Sequence, residues 1–161
     1  MKLITSNDVD YDNVEALGQV FSNCGFNAVV KEPDGFGNAS VELPFSSTED
    51  DIDLKVFVIV WVPSRQPEML KFRTILFDKK ERDELKKKDD LWEEIISTAD
   101  MINDNAFGFL SLSNMVGVTL DYSLTMEGGV ADSTLCNTVK EISTIAKGAK
   151  STILNMISFA D

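Results

Sequence analysis

Leu54-Lys55-Val56-Phe57-Val58-Ile59-Val60-Trp61-Val62 is apolar at every position but Lys55 and is dominated by β-branched and aromatic residues. It falls far short of the roughly 20 residues that cross a bilayer as a helix, so it reads as a strand and not a span. Unbroken apolarity, in place of alternation, is what a strand covered on both faces shows. Residues 54–62 are therefore expected at the centre of a sheet. On the N-terminal side, the polar and acidic residues 46–53 read as a connection. Before them, the β-prone runs 27–31 and 39–45 flank Pro33-Asp34-Gly35-Phe36-Gly37-Asn38, a stretch dense in turn formers, and predict a hairpin. On the C-terminal side, Pro63 and Pro67 bracket a turn. Residues 69–77 then set Leu70, Phe72 and Leu76 on one face and predict a second hairpin.

Helical spacing frames these strands. Asn7, Asp8 and Asp10 offer capping oxygens ahead of Val14, Leu17, Val20 and Phe21, a stripe that stops at Asn23-Cys24-Gly25. Residues 79–90 are charged and mixed in sign, which fits a solvated loop or the first turns of the next helix. Leu91, Ile95, Ala99 and Ile102, with Trp92 and Ile96 beside them, form the stripe of a second helix. Residues 107–112 and 116–126 read as paired strands; in the second, Val118, Leu120, Tyr122, Leu124 and Met126 alternate with Thr119, Asp121, Ser123 and Thr125. Leu135, Val139, Ile142, Ala146, Ala149, Ile153 and Met156 follow at intervals of 4, 3, 4, 3, 4 and 3, and predict a long last helix, softened at Gly148. Such a heptad-like stripe suits self-association, but a helix lying on a sheet needs the same one, and covering the sheet is the preferred reading. The order α-β-β-β-β-α-β-β-α, without repeat or linker, predicts a single α+β domain over residues 1–161 built on an antiparallel sheet.

Composition narrows function mainly by exclusion. The 161 residues carry 27 acids against 15 bases, a net charge of −12, and 43% of them are hydrophobic, enough for a real core. Residues 1–54 hold 11 acids and 2 bases, so the acidic excess is concentrated in the N-terminal third. An acidic chain repels phosphate backbones, and no nucleic-acid partner is expected. Acidic surface is also an ordinary route to solubility, and charge alone names no partner. The chain has no histidine, which removes His-based triads, His metal ligands and His pH switches. Residues 1–8 lack the apolar stretch of a secretory signal, so a cytoplasmic location and no membrane association are expected. Cys24 and Cys136, 112 positions apart without CxxC spacing, read as small buried hydrophobes.

The local motifs fail on inspection. Asp8-Val9-Asp10-Tyr11-Asp12 imitates the opening of a calcium loop, yet Asn13 stands where glycine is needed and Gln19 where a bidentate Glu is needed, so capping explains these acids. Gly35-Phe36-Gly37 leads into a strand, where a dinucleotide fingerprint must open a helix, and Gly128-Gly129 lacks the Lys and Ser or Thr of a phosphate loop. Asn38-Ala39-Ser40 matches a glycosylation sequon, which has meaning only in a secreted chain. Paired carboxylates are the enzymatic route that survives the missing histidine, but the acids lie in loops and on polar faces. No catalytic, metal-binding or cofactor-binding residue is assigned, and no cofactor is expected. Trp61 and Trp92 sit within apolar segments and read as core, while remaining the best anchors of any interface.

The series Leu91-Trp92, Ile102-Asn103-Asp104-Asn105, Phe107-Gly108-Phe109-Leu110-Ser111-Leu112, Val118-Thr119-Leu120-Asp121-Tyr122-Ser123-Leu124 and Gly128-Gly129, followed by a helix with Leu135, resembles the YbjN-like family, bacterial proteins described as sensory transduction regulators. The resemblance covers roughly residues 91–145. It implies a fold similar to type III secretion chaperones and a small, non-enzymatic, dimeric protein that acts by binding other proteins. The expected function is a protein-binding regulator or adaptor; a secretion-type chaperone holding a client segment is the alternative, and a carboxylate-based enzyme is a distant second. A homodimer is expected to pack through the second helix, at Trp92 and Ile96.

Overall fold

The computed structural model describes residues 2–33, 37–49, 51–105 and 107–160. Twelve elements follow in order among the described residues: β1 (Leu3–Ile4), α1 (Glu15–Asn23), β2 (Val29–Lys31), β3 (Ser40–Glu49), β4 (Ile52–Trp61), β5 (Met69–Asp78), α2 (Lys79–Lys86), α3 (Asp89–Asn105), β6 (Phe109–Asn114), β7 (Gly117–Thr125), β8 (Val130–Ala131) and α4 (Asp132–Ala160). The expected α+β class holds, with β1, β8 and α2 added to the expected order. One sheet has the order β2-β3-β4-β5-β7-β6 with every neighbour antiparallel. A two-stranded ladder of β1 and β8 ties the N-terminal segment to the start of α4, where the Asp132 amide also donates to the Lys2 carbonyl at 3.0 Å.

The central helix–sheet contact lies between α4 and β4. Leu135, Val139, Ile142, Ala146 and Ile153 of α4 and Val56, Val58 and Val60 of β4 are all essentially buried in one core. Each large side chain among them contributes about 1.5–3 kcal/mol by leaving water. Gly148 does not interrupt α4, which runs unbroken through it. The reading of β4 as covered on both faces is corrected by the structure. Leu54, Val56, Val58 and Val60 are buried, whereas Phe57 on the opposite face is 42% exposed. Helices cover one side only, and the apolar residues of the other side made the run look continuous.

Of the connection expected at residues 46–53, residues 46–49 and 52–53 are instead strand. β3 and β4 pair from Ser40↔Trp61 to Glu49↔Ile52, and the Thr48 hydroxyl donates to Asp53 Oδ1 at 2.9 Å. Its alternating polar residues belong to the side of the hairpin without helices, which is why composition alone suggested a loop. Asp51 follows at φ 64°, a left-handed conformation that Asp tolerates better than most residues. The β2–β3 hairpin is present, but Asp34, Gly35 and Phe36 of its expected turn lie outside the described residues. The second hairpin is only partly zipped: β4 and β5 pair at Ile59↔Arg73, Val60↔Phe72 and Trp61↔Lys71, and then diverge.

Local chemistry sets the helix ends. Asp10 Oδ1 accepts the amides of Asp12 and Asn13, and Asn13 Oδ1 that of Glu15, so a ladder of side-chain acceptors leads into α1 through Val14. Asp8, expected as a cap, instead accepts from the Thr5 amide. At the other end, Phe26 N bonds Phe21 O and Gly25 N bonds Ser22 O, a Schellman closure that needs the positive φ of Gly25, 89°. The charged run at 79–90 contains a true helix, α2, started by a capping box: Glu81 N donates to Asp78 Oδ1 at 2.8 Å, and Asp78 N to Glu81 Oε1 at 3.1 Å.

The cysteines are also corrected. Cys24 and Cys136 form a disulfide, with Cα atoms 6.5 Å apart, and Cys24 is exposed, so only Cys136 is buried. The end of α1 and the first turn of α4 meet in space, a proximity that a separation of 112 positions could not reveal. Closing so long a loop is expected to add about 2–5 kcal/mol. Urea unfolding with and without a phosphine reductant should show that difference; equal midpoints would mean that the bond does not constrain the unfolded chain.

Candidate functional site

The side of the sheet opposite α4 carries no helix, and the strand registers fix what it presents. One row crosses all six strands: Val29, Glu42, Ile59, Arg73, Asp121, Phe109. A second runs Lys31, Ser40, Trp61, Lys71, Ser123. Pro44 and Phe57 extend the face on the β3–β4 arm, and Ile75 extends it on the β5–β7 side, beside the fully buried Thr119. Among these, Val29, Phe57, Ile75 and Phe109 are between 38% and 58% exposed. Large apolar side chains gathered on one exposed surface, unlike scattered ones, mark an interaction site.

The polar groups of this face are ordered. Arg73 Nε donates to Asp121 Oδ1 at 2.6 Å, and the Thr119 hydroxyl donates to Asp121 Oδ2 at 2.9 Å, so both carboxylate oxygens are engaged. The Arg73 guanidinium also lies 5.7 Å from the Trp61 ring centre. Lys71 Nζ donates to the Ser123 hydroxyl at 2.8 Å, Lys31 pairs with Glu42 at 3.5 Å, and Lys55 lies 5.1 Å from the Phe57 ring centre. Four bases (Lys31, Lys55, Lys71, Arg73) therefore stand against three acids (Glu42, Asp53, Asp121), a near balance in a chain of net charge −12. Asp78, at the end of β5, serves as the cap of α2. A shallow depression of about 270 Å³ opens between β4 and β5, lined by Asn38, Ser40, Ile59, Trp61, Arg73, Ile75 and Val116.

The expected interface residues lie elsewhere. Trp92 is on α3, partly buried against the core, with Lys86 Nζ 5.8 Å from its ring centre. Ile96, one turn on, is 40% exposed. α3 runs beside the outer edge of β6, where the Asn103 side chain pairs with the Leu110 backbone in both directions, at 2.6 and 3.0 Å. Trp61, read as core, is instead part of the uncovered face. Only the odd-numbered apolar residues of β4 could have signalled that face from sequence, and an apolar residue does not say what covers it.

The remaining acids serve local structure. The Thr5 amide and hydroxyl hold Asp8 below its ordinary 3.8, so the contribution of its bonds is complete above that value and is lost as pH falls through the lowered one. Asp12 raises Tyr11, and Glu84 raises Lys87, both on exposed turns. Asp90, Glu93 and Glu94 border a cleft of about 410 Å³ beside Met156. Among the described residues no group of three or more His, Cys, Asp or Glu is placed to hold a metal ion, and no helix is long and apolar enough to cross a membrane. No family model, curated protein or solved structure matches the chain.

Because Trp92 packs on the core, Trp92→Ala is expected to lower unfolding stability by about 2–3 kcal/mol, whereas Ile96→Ala should change it by less than about 1. Chemical denaturation of the two variants checks this; a neutral Trp92→Ala would mean that the ring is held for association and not for packing.

Proposed function

We propose that the chain is a non-enzymatic protein-binding regulator or adaptor, and that the uncovered sheet face is its contact surface. The observation that carries this reading is the joint presence there of exposed Phe57, Ile75 and Phe109 and of charges already paired within the face. The Arg73–Asp121 and Lys31–Glu42 pairs can be desolvated without stranding an ion, which is what a protein interface asks of its polar groups. The resemblance of residues 91–145 to the YbjN-like sensory transduction regulators points the same way. A second reading, a secretion-type chaperone, draws on the short β4–β5 ladder: residues 52–58 and 74–78 do not pair with each other, and an extended client segment could add to either strand.

Cytoplasmic residence belongs to the same proposal, and the disulfide supplies its test. A reducing compartment keeps thiols open, so lysing cells directly into denaturant with an alkylating agent is expected to label both Cys24 and Cys136. An unlabelled, oxidised pair would place the chain in an oxidising compartment. The contact surface is tested by affinity capture from the host at matched expression. Phe57→Glu combined with Phe109→Glu should reduce recovery of any stoichiometric partner at least about tenfold, while Met101→Glu on α3 should leave it intact. Equal recovery with the double variant would remove the sheet face as the contact.

A further inference from the structure

The partner that this face fits can be argued further, on the reading of the face as a protein-binding surface. Each chain carries a net charge of −12, so two copies repel wherever acidic surfaces meet. Among the described residues the acidic excess lies off the sheet face, where bases and acids nearly balance. Two copies can therefore approach through it without confronting like charge.

Size agrees with this. Six strands of three to ten residues, spaced about 4.8 Å apart with about 3.3 Å per residue, span roughly 760 Å². A stable interface takes about 800 Å² from each partner. Antiparallel sheets also meet naturally face to face, about 10 Å apart, with their side chains interleaved. The chemistry survives burial as well. Arg73 and Asp121 compensate each other within one copy, with the Thr119 hydroxyl on the second carboxylate oxygen, so covering that pair strands no ion, while Lys71 bonds the neutral Ser123 hydroxyl and retains its charge. We propose that a second copy of this chain covers the uncovered sheet face, forming a two-fold, sheet-on-sheet dimer centred on Phe57, Ile59, Trp61 and Ile75.

Sedimentation equilibrium of the 161-residue chain tests this directly. The expected mass is twice 17.8 kDa. Raising salt from about 50 to about 300 mM should tighten the dimer, because screening weakens repulsion between acidic bodies and leaves apolar contact intact. Phe57→Asp and Ile75→Asp change exposed side chains, and each meets its symmetry mate's surface in the dimer. Either should raise the dissociation constant at least about 100-fold while circular dichroism stays unchanged, as does the thermal midpoint at a concentration where both chains are monomeric. Ile96→Asp should leave it unchanged. A wild-type chain that remains monomeric at about 100 µM overturns the dimer, as does a dimer broken by Ile96→Asp but not by Ile75→Asp. In the monomeric case, radical footprinting with a captured host protein separates the two claims. Protection of Phe57 and Trp61 preserves the protein-binding reading without the dimer, and no protection removes both.

Discussion

The contact between α4 and β4 is the constraint on which the rest of the molecule depends. β4 pairs with β3 along its whole length but with β5 at only three positions. The N-terminal half of the β3–β4 arm is therefore joined to the remainder of the sheet less by backbone hydrogen bonds than by the helix beneath it. Val56 and Val58 are buried although they do not pair with β5, because α4 packs against the face of β4 that carries them. A helix of 29 residues is about 43 Å long, enough to run under the sheet and meet α1 near its start and α3 farther along. The Cys24–Cys136 bond then fastens α1 to the first turn of that same helix.

One-sided coverage follows from that arrangement. With its apolar stripe on the sheet, α4 leaves β3, β4, β5 and β7 to present a second face of mixed character. The apolar side chains on this face cannot reach the core, and four of its charges are paired, Arg73 with Asp121 and Lys31 with Glu42. Arg73 exemplifies the logic: Asp121 holds it from one side, Trp61 lies along it, and Thr119 completes the carboxylate. A solvated surface has little need of such order, since exposed ion pairs contribute at most about 1 kcal/mol. Preorganised pairs matter more where water is to be removed, because the alternative is a stranded charge.

What was legible in the sequence was periodicity. The α4 stripe, the Leu91–Ile95–Ala99 stripe of α3 and the alternation of β7 each follow from where the core lies, and each element stands where its pattern placed it. The features that were not legible depend on what faces an element. Phe57, Ile59 and Trp61 are as apolar as Val56, Val58 and Val60, so no pattern separated a covered face from an uncovered one. Ser46, Thr48 and Asp53 looked like loop because a polar hairpin arm and a loop share a composition. The disulfide was hidden for a different reason: sequence separation carries no information about which helix ends meet. The capping box at Asp78 and Glu81 was readable in principle, but the dense charge of residues 79–90 masked it.

The edges of the sheet indicate why association should use its face. β2, at one edge, is three residues long and ends in Lys31, a short and charged strand that offers little to pair with. At the other edge, Asn103 bonds the Leu110 amide and carbonyl, so a side chain takes the place of a neighbouring strand. The far end of the β6–β7 hairpin is secured as well: Arg82 Nη1 donates to the carbonyls of Leu112, Asn114 and Gly117, which fixes the turn from beneath α2. Both outer edges are thus blunted by devices that cost side chains nothing on the open face. Pairing edge to edge would have to displace Asn103 or lengthen β2, whereas contact through the face requires no bond to be broken.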